Sequence, residues 1–176
     1  DPYPPMEEKL KLTSSCLRIL AQNKCKILLV TKSNLVCRDL DILRRARVCV
    51  SLTITTLNEK LARKLEPGAP SPKERIEAAE KLIKNRVPVA VRVDPIIPGV
   101  NEEEIEAIVE KVAEIGIEHV TSSTYKVKFD NWRRFELVFP EKARFLRPLY
   151  FENGKKISGS YYLPRRMRME IMKRAV

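Results

Sequence analysis

The sequence predicts an α/β fold: a partial (β/α) barrel of about four parallel strand–helix units over residues 1–125, with a basic, aromatic-rich segment over 126–176 packing on it. Three observations carry this reading. Short apolar runs alternate with helical patterns through the first 125 residues, and crossovers of that length join parallel strands in right-handed units. Two strands alternate in character: Val48, Val50, Leu52 and Ile54 interleave with Cys49, Ser51, Thr53 and Thr55, and Val89, Val91 and Val93 with Ala90, Arg92 and Asp94. A parallel sheet covered on both faces reads as near-continuous Val, Ile and Leu, so one face here meets helices and the other lines a polar interior. Finally, a closed barrel of eight units needs roughly 200 residues or more, and the sequence shows only four such strands.

The elements follow in order. Met6 to about Asn23 reads as one helix, with Leu10, Cys16, Leu17, Leu20 and Ala21 at apolar positions. Lys26–Lys32 is a strand, 39–46 a short helix, Arg47–Thr55 a strand and Asn58–Leu65 a helix. Glu66-Pro67-Gly68-Ala69-Pro70 must turn. Ser71-Pro72-Lys73-Glu74 is a capping box with Pro at the first helical position, and Asn101 with Glu104 repeats that logic before the helical spacing of Ile105, Ile108, Val109 and Val112. Pro88–Asp94 and Ile117–Ser123 are the remaining strands.

From Phe129 the character changes. Residues 129–176 hold 12 basic residues, 5 acidic ones and nine of the eleven aromatics. Asn153-Gly154 signals a hairpin, and Arg165-Arg166-Met167-Arg168 opens a last basic helix. Phe135, Phe139, Phe145 and Phe151 are expected in the core.

Charge and composition narrow the function. Thirty-four Lys and Arg against 23 Asp and Glu leave +11, which favours polyanionic partners. The longest aliphatic run, Ile27–Val30, is far short of the roughly 20 residues that span a bilayer, and Asp1-Pro2-Tyr3-Pro4-Pro5 is no signal peptide. A soluble, cytoplasmic protein with no membrane partner is therefore expected. Cys16, Cys25, Cys37 and Cys49, spaced C-x8-C-x11-C-x11-C, match no zinc or iron–sulfur motif and are expected to be reduced and structural. High charge, a single Gln and 12 Pro form a thermophile-like pattern. His119, the one histidine, is expected in the core rather than in a triad.

Leu29-Val30-Thr31-Lys32-Ser33, Glu66-Pro67-Gly68 leading into Arg75-Ile76-Glu77-Ala78, Val93-Asp94-Pro95-Ile96-Ile97-Pro98-Gly99 and the opening Asp1-Pro2-Tyr3-Pro4-Pro5-Met6-Glu7 occur in order. Together they resemble the radical S-adenosylmethionine superfamily, in its spore photoproduct lyase-like ("DNA repair photolyase") branch, over roughly residues 1–125. The resemblance implies reductive cleavage of S-adenosylmethionine to drive hydrogen abstraction, with a lyase-type reaction on a nucleic-acid lesion or modified nucleotide. It also implies a 4Fe–4S cluster held by a C-x3-C-x2-C loop upstream of the Asp-Pro-Tyr segment, a loop this sequence does not contain. The expectation is the C-terminal portion of a longer enzyme, inactive by itself. A truncated relative is the alternative.

By resemblance, Lys32 meets the carboxylate of S-adenosylmethionine, Ser51 bonds its ribose or amino-acid group, and Thr53 shares that face. Ile97 packs on adenine and Gly99 turns the chain in an I-x-G-x-x-E pattern ending at Glu102, with Pro95 where the pattern has its first Gly. Arg92 and Asp94, two apart, share a face and either line the pocket or pair with neighbours. Glu66 either holds a loop or acts at the site. Arg165, Arg166 and Arg168 are candidates for phosphate contact, with Trp132 or the tyrosines stacking on an extruded base. The rival readings are a non-catalytic nucleic-acid-binding module on a degenerate barrel and a cluster-independent enzyme holding a small ligand in the polar interior. An exposed sheet edge left by absent strands is expected to favour self-association.

Overall fold

The structure, a computed structural model, describes residues 1–175. Its centre is a four-stranded parallel sheet in the order β1 (Lys26–Thr31), β2 (Arg47–Thr53), β3 (Val89–Ile96) and β4 (Val120–Thr124). Ile27 pairs with Val48, Val50 with Val89, and Val91 with Val120. The sheet stays open: among the described residues no further strand pairs beside β1 or closes it into a barrel.

Alternation decides the two faces, as the sequence predicts. Val48, Val50, Leu52, Ile54, Val91 and Val93 are buried against a helical layer. That layer includes α5 (Pro72–Lys84) and α6 (Ile105–Glu114), which contribute Ala79, Leu82, Ile105, Ile108 and Val112. The opposite, inner face carries Leu28 and Val30 from β1, in register with Cys49 and Ser51, then Ala90 and Arg92 in register with Ser51 and Thr53. Leu28 is 68% exposed, so this face is apolar and open at β1 and polar further across.

Several local expectations change. The first helix is two, α1 (Glu7–Leu10) and α2 (Leu12–Gln22), broken where Lys11 takes φ +52°. The helix expected at 39–46 is a 3-10 turn over Asn34–Asp39 running into α3 (Leu40–Leu43). Asn58 caps α4 (Glu59–Leu65) by accepting from Leu61 N–H, and the Ser71 capping box on α5 is present with both bonds. Asn101 does not cap, because its side chain is engaged elsewhere.

Residues 126–175 form α7 (Phe129–Val138), α8 (Pro140–Phe151), the hairpin β5 (Lys155–Ile157)–β6 (Ser160–Tyr162), and α9 (Arg165–Lys173). Trp132, Phe135, Tyr150 and Tyr125 stack at centroid separations of 5.6–6.2 Å, and the buried Tyr150 hydroxyl donates to Tyr125 O at 2.9 Å. Met172 of α9 receives a bond from Ser122 of β4 at 3.3 Å, which ties the segment to the sheet. Phe145 is 63% exposed and Phe151 lies at the surface, so neither is the core residue expected. The hairpin turns at Ser158-Gly159, both at positive φ, rather than at Asn153-Gly154. Gly154 instead lets two backbones meet: a Cβ there would sit 2.3 Å from Tyr150 O and 2.4 Å from Tyr162 O. Among the described residues no helix is long and apolar enough to cross a membrane.

Candidate functional site

The C-terminal ends of the strands gather the candidates. Ser51 and Thr53 are buried on the inner face of β2, 4% exposed each. Just beyond, the Thr55 hydroxyl is buried with no hydrogen-bond partner among the described residues. Next to Thr53 in register, Arg92 forms an ion pair with Asp94, whose second oxygen accepts from Ser123 Oγ of β4 at 2.7 Å. Arg92 and Asp94 therefore pair with each other on the inner face while staying partly open to solvent. One row thus offers two hydroxyls, a guanidinium and a carboxylate to anything seated there.

At the rim stands Lys32, one residue past β1, with its ammonium 3.7 Å from Glu66 Oε1. Glu66 Oε2 faces Arg75 Nη2 at 2.6 Å. Arg75 is 1% exposed and donates from Nε to Pro70 O and from Nη1 to Thr53 O, each at 2.9 Å. Glu66 thus holds both the loop and a neighbour at the site. Asp1 completes the rim, accepting from Thr31 Oγ1 at 2.6 Å and Lys32 N–H at 2.8 Å.

The turn after β3 is built differently from its sequence pattern. Asp94–Pro95 is cis, and Ile97 is buried at 2% exposure. Asn101, 1% exposed, accepts from Ile97 N–H at 2.7 Å and donates to Thr55 O and Pro95 O at 2.7 and 3.0 Å. It staples the end of β3 to the end of β2. Gly99 takes φ +66° beside Lys142 Nζ, on the side where α8 and α9 border a cavity of about 680 Å³, away from Ser51 and Thr53. Glu102 lines that cavity, while Glu104 reaches back to Thr56 Oγ1, Leu57 N–H and Asn58 N–H at 2.5, 2.7 and 3.2 Å. Asn101, Glu104 and Arg75 are residues that pattern reading missed as builders of this site. For Arg75 the available signal was a polar residue at helical spacing with Ala78, Ala79 and Leu82; Asn101 and Glu104 are claimed by partners far away in the sequence.

The opening motif is anchored by charge. Arg38 donates to Glu7 Oε1, Glu7 O and Ser14 Oγ, each at 2.8 Å, and to Asp39 at 3.1 Å. Tyr3 OH donates to Asp39 at 3.0 Å. Burial works to raise the Glu7 and Asp39 carboxyls, but hydrogen bonds from Arg38 and its neighbours prevail and hold both below their ordinary range. Burial and the adjoining Asp39 push the Tyr3 phenol well up. The network fixes the segment that carries Asp1 to the rim.

Other candidates lie apart. His119 is exposed just before β4, because that strand starts three residues later than expected; its carbonyl accepts from Val91 N–H. Trp132 is 6% exposed inside the aromatic cluster and is not free to stack on a base. Arg165 and Arg166 are exposed on α9, Arg166 pairing with Glu170, whereas Arg168 donates to Leu163 O and lies over the Tyr162 ring. The four thiols are free and sit on or beside four different elements, Cys16 exposed and the others partly buried. Burial raises the Cys37 and Cys49 thiols above their ordinary range. Among the described residues no three His, Cys, Asp or Glu side chains gather as a metal ion would require.

Comparison with known proteins accords with this geometry. The Radical SAM superfamily model matches residues 1–136. An uncharacterised protein of Acidianus two-tailed virus is 36% identical over 148 residues, 78% of this chain and 49% of its own length. An uncharacterised protein of Methanocaldococcus jannaschii is 33% identical over 164 residues, 90% of this chain and 57% of its own. The chain therefore spans about half the length of the curated relatives it matches. Spore photoproduct lyase with bound AdoMet and dinucleoside spore photoproduct superposes over 97% of this chain and 52% of that one, with a TM-score of 0.73 at 16% identity, which establishes a shared fold. With a family match over most of its residues and relatives above 30% identity, the chain belongs to the radical S-adenosylmethionine superfamily.

Proposed function

We propose that the inner face at the C-terminal ends of β1–β3 binds S-adenosylmethionine, and that the chain serves as the ligand-holding part of a radical enzyme. The observation that carries this is the polar row itself: Ser51 and Thr53, the Arg92–Asp94 pair, and Lys32 at the rim of the same face. Thr55 Oγ1, buried with no partner among the described residues, adds one more hydroxyl, and together these groups suit a ligand bearing hydroxyls, an amino group and a carboxylate. In this reading Lys32 meets the carboxylate, Ser51 and Thr53 bond the ribose or amino-acid group, and Arg92–Asp94 lies near the methionyl end. Ile97 backs the adenine through its backbone, held by Asn101, and Gly99 serves to turn the chain. When bound and reduced, S-adenosylmethionine supplies hydrogen-abstracting radical chemistry.

The side chains described do not fit a 4Fe–4S cluster, since the four thiols are dispersed. A nucleic-acid lesion or modified nucleotide is the proposed substrate class. Supporting it are the excess of basic residues in 129–176, the exposed Arg165 and Arg166, and the dinucleoside photoproduct bound by a protein of the same fold. Residues 126–176 act in this reading as a segment that closes one end of the partial barrel and presents cations. The same surface favours a second reading, a non-catalytic nucleic-acid-binding module.

Calorimetric titration separates the two. S-adenosylmethionine should bind saturably and lose about tenfold in affinity with Ser51→Ala or Thr53→Val, the worth of about one buried hydrogen bond. Salt-sensitive oligonucleotide binding with no S-adenosylmethionine binding would leave only the module reading.

A further inference from the structure

Glu66 stands between two cations at unequal range, Arg75 at 2.6 Å and Lys32 at 3.7 Å. Arg75 is locked in place by its bonds to Pro70 O and Thr53 O, with its guanidinium turned to Glu66. It is thus the nearer of the two cations and offsets Glu66 charge that would otherwise bear on Lys32. Lys32, with 39% of its side chain exposed, keeps its attraction for an anion while one Glu66 oxygen fixes where the ammonium points. With the ammonium exposed and 3.7 Å away, this pair adds little to fold stability, which leaves orientation as its main effect. The same clamp sets Pro67, Gly68, Ala69 and Pro70 as one wall of a groove of about 470 Å³, with Lys32, Asp1 and Tyr3 across it.

We infer that Glu66 is a positioning residue: it holds the Lys32 ammonium where a ligand's carboxylate arrives, and Arg75 keeps Glu66 from quenching that charge. The inference rests on the reading of Lys32 as the carboxylate partner. It assigns a function to the Glu-Pro-Gly loop and to a fully buried arginine.

The test compares S-adenosylmethionine with methylthioadenosine, which keeps the adenosine and lacks the amino-acid group, on the full chain. Glu66→Gln should weaken S-adenosylmethionine about tenfold, the scale of one charge-assisted contact, and leave methylthioadenosine unchanged. In a Lys32→Ala background Glu66→Gln should add nothing. Equal weakening of both ligands by Glu66→Gln, or no weakening of either, overturns the inference alone, provided Lys32→Ala remains selective for S-adenosylmethionine. A Lys32→Ala variant that is not selective, or a wild-type chain that binds neither ligand, overturns the underlying reading and the inference with it. Should Glu66→Gln fail to fold, Glu66→Asp, which keeps the charge but shortens its reach, must show the same selective loss; an unselective one contradicts the inference.

Discussion

The Arg38 guanidinium donates to the Glu7 carboxylate at 2.8 Å, joining the opening segment to the 3-10 turn after β1. Arg38 also serves Asp39 and Ser14, so truncation strands several buried polar groups at once. Arg38→Met should lower the melting temperature by roughly 5–10 °C, measured by differential scanning calorimetry.

The same network sets an acid limit. Glu7 and Asp39 titrate below their ordinary values of 4.5 and 3.8 in the folded state. Depressed carboxyls contribute stability that is present above those values and lost as pH falls through the lowered folded ones. Wild type should therefore lose stability below about pH 4.5 more steeply than Arg38→Met, in denaturant titrations at stepped pH. Parallel acid profiles would contradict the assignment.

Much of the fold was legible because β2 and β3 alternate cleanly and Ser71-Pro72-Lys73-Glu74 satisfies a helix start locally. The inner-face residues Ser51, Thr53, Arg92 and Asp94 followed from the same period of two. What escaped was decided by distant partners. Asn101 looks like a cap, yet Thr55 O and Pro95 O, supplied by two strand ends, claim its amide. Asn153-Gly154 has hairpin chemistry, but the close approach of Tyr150 O and Tyr162 O uses the missing side chain instead. Arg75 shares the buried face of its helix with Ala78, Ala79 and Leu82, and what the sequence could not show is that Thr53 O, Pro70 O and Glu66 gather around its guanidinium there.

Two glycine substitutions separate crowding from backbone conformation. Gly154→Ala places a methyl against two carbonyl oxygens and should cost about 3 kcal/mol or more by chemical denaturation. Gly116→Ala, at φ +84° with nothing within 4 Å, should cost only about 1 kcal/mol.

The Tyr150 hydroxyl, fully buried against Tyr125 O, should be worth about 1–2 kcal/mol. Tyr150→Phe leaves that carbonyl short of a donor while preserving the ring stack, so denaturation should show a loss in this range. An unchanged midpoint would mean the carbonyl finds water.

The open edge of β1, with Leu28 and Val30 exposed beside it, is proposed to pair with a second copy of the chain. Sedimentation should show concentration-dependent association that Val30→Lys removes. A particle that stays monomeric at high concentration would refute the pairing.

The most direct test of the account is hydrogen exchange with and without S-adenosylmethionine. Ligand should slow exchange at the ends of β2 and β3, at 53–57 and 96–97, and Ser51→Ala should diminish that protection. Protection confined to the cavity between α8 and α9, or none at all, would contradict the placement of the site on the inner face.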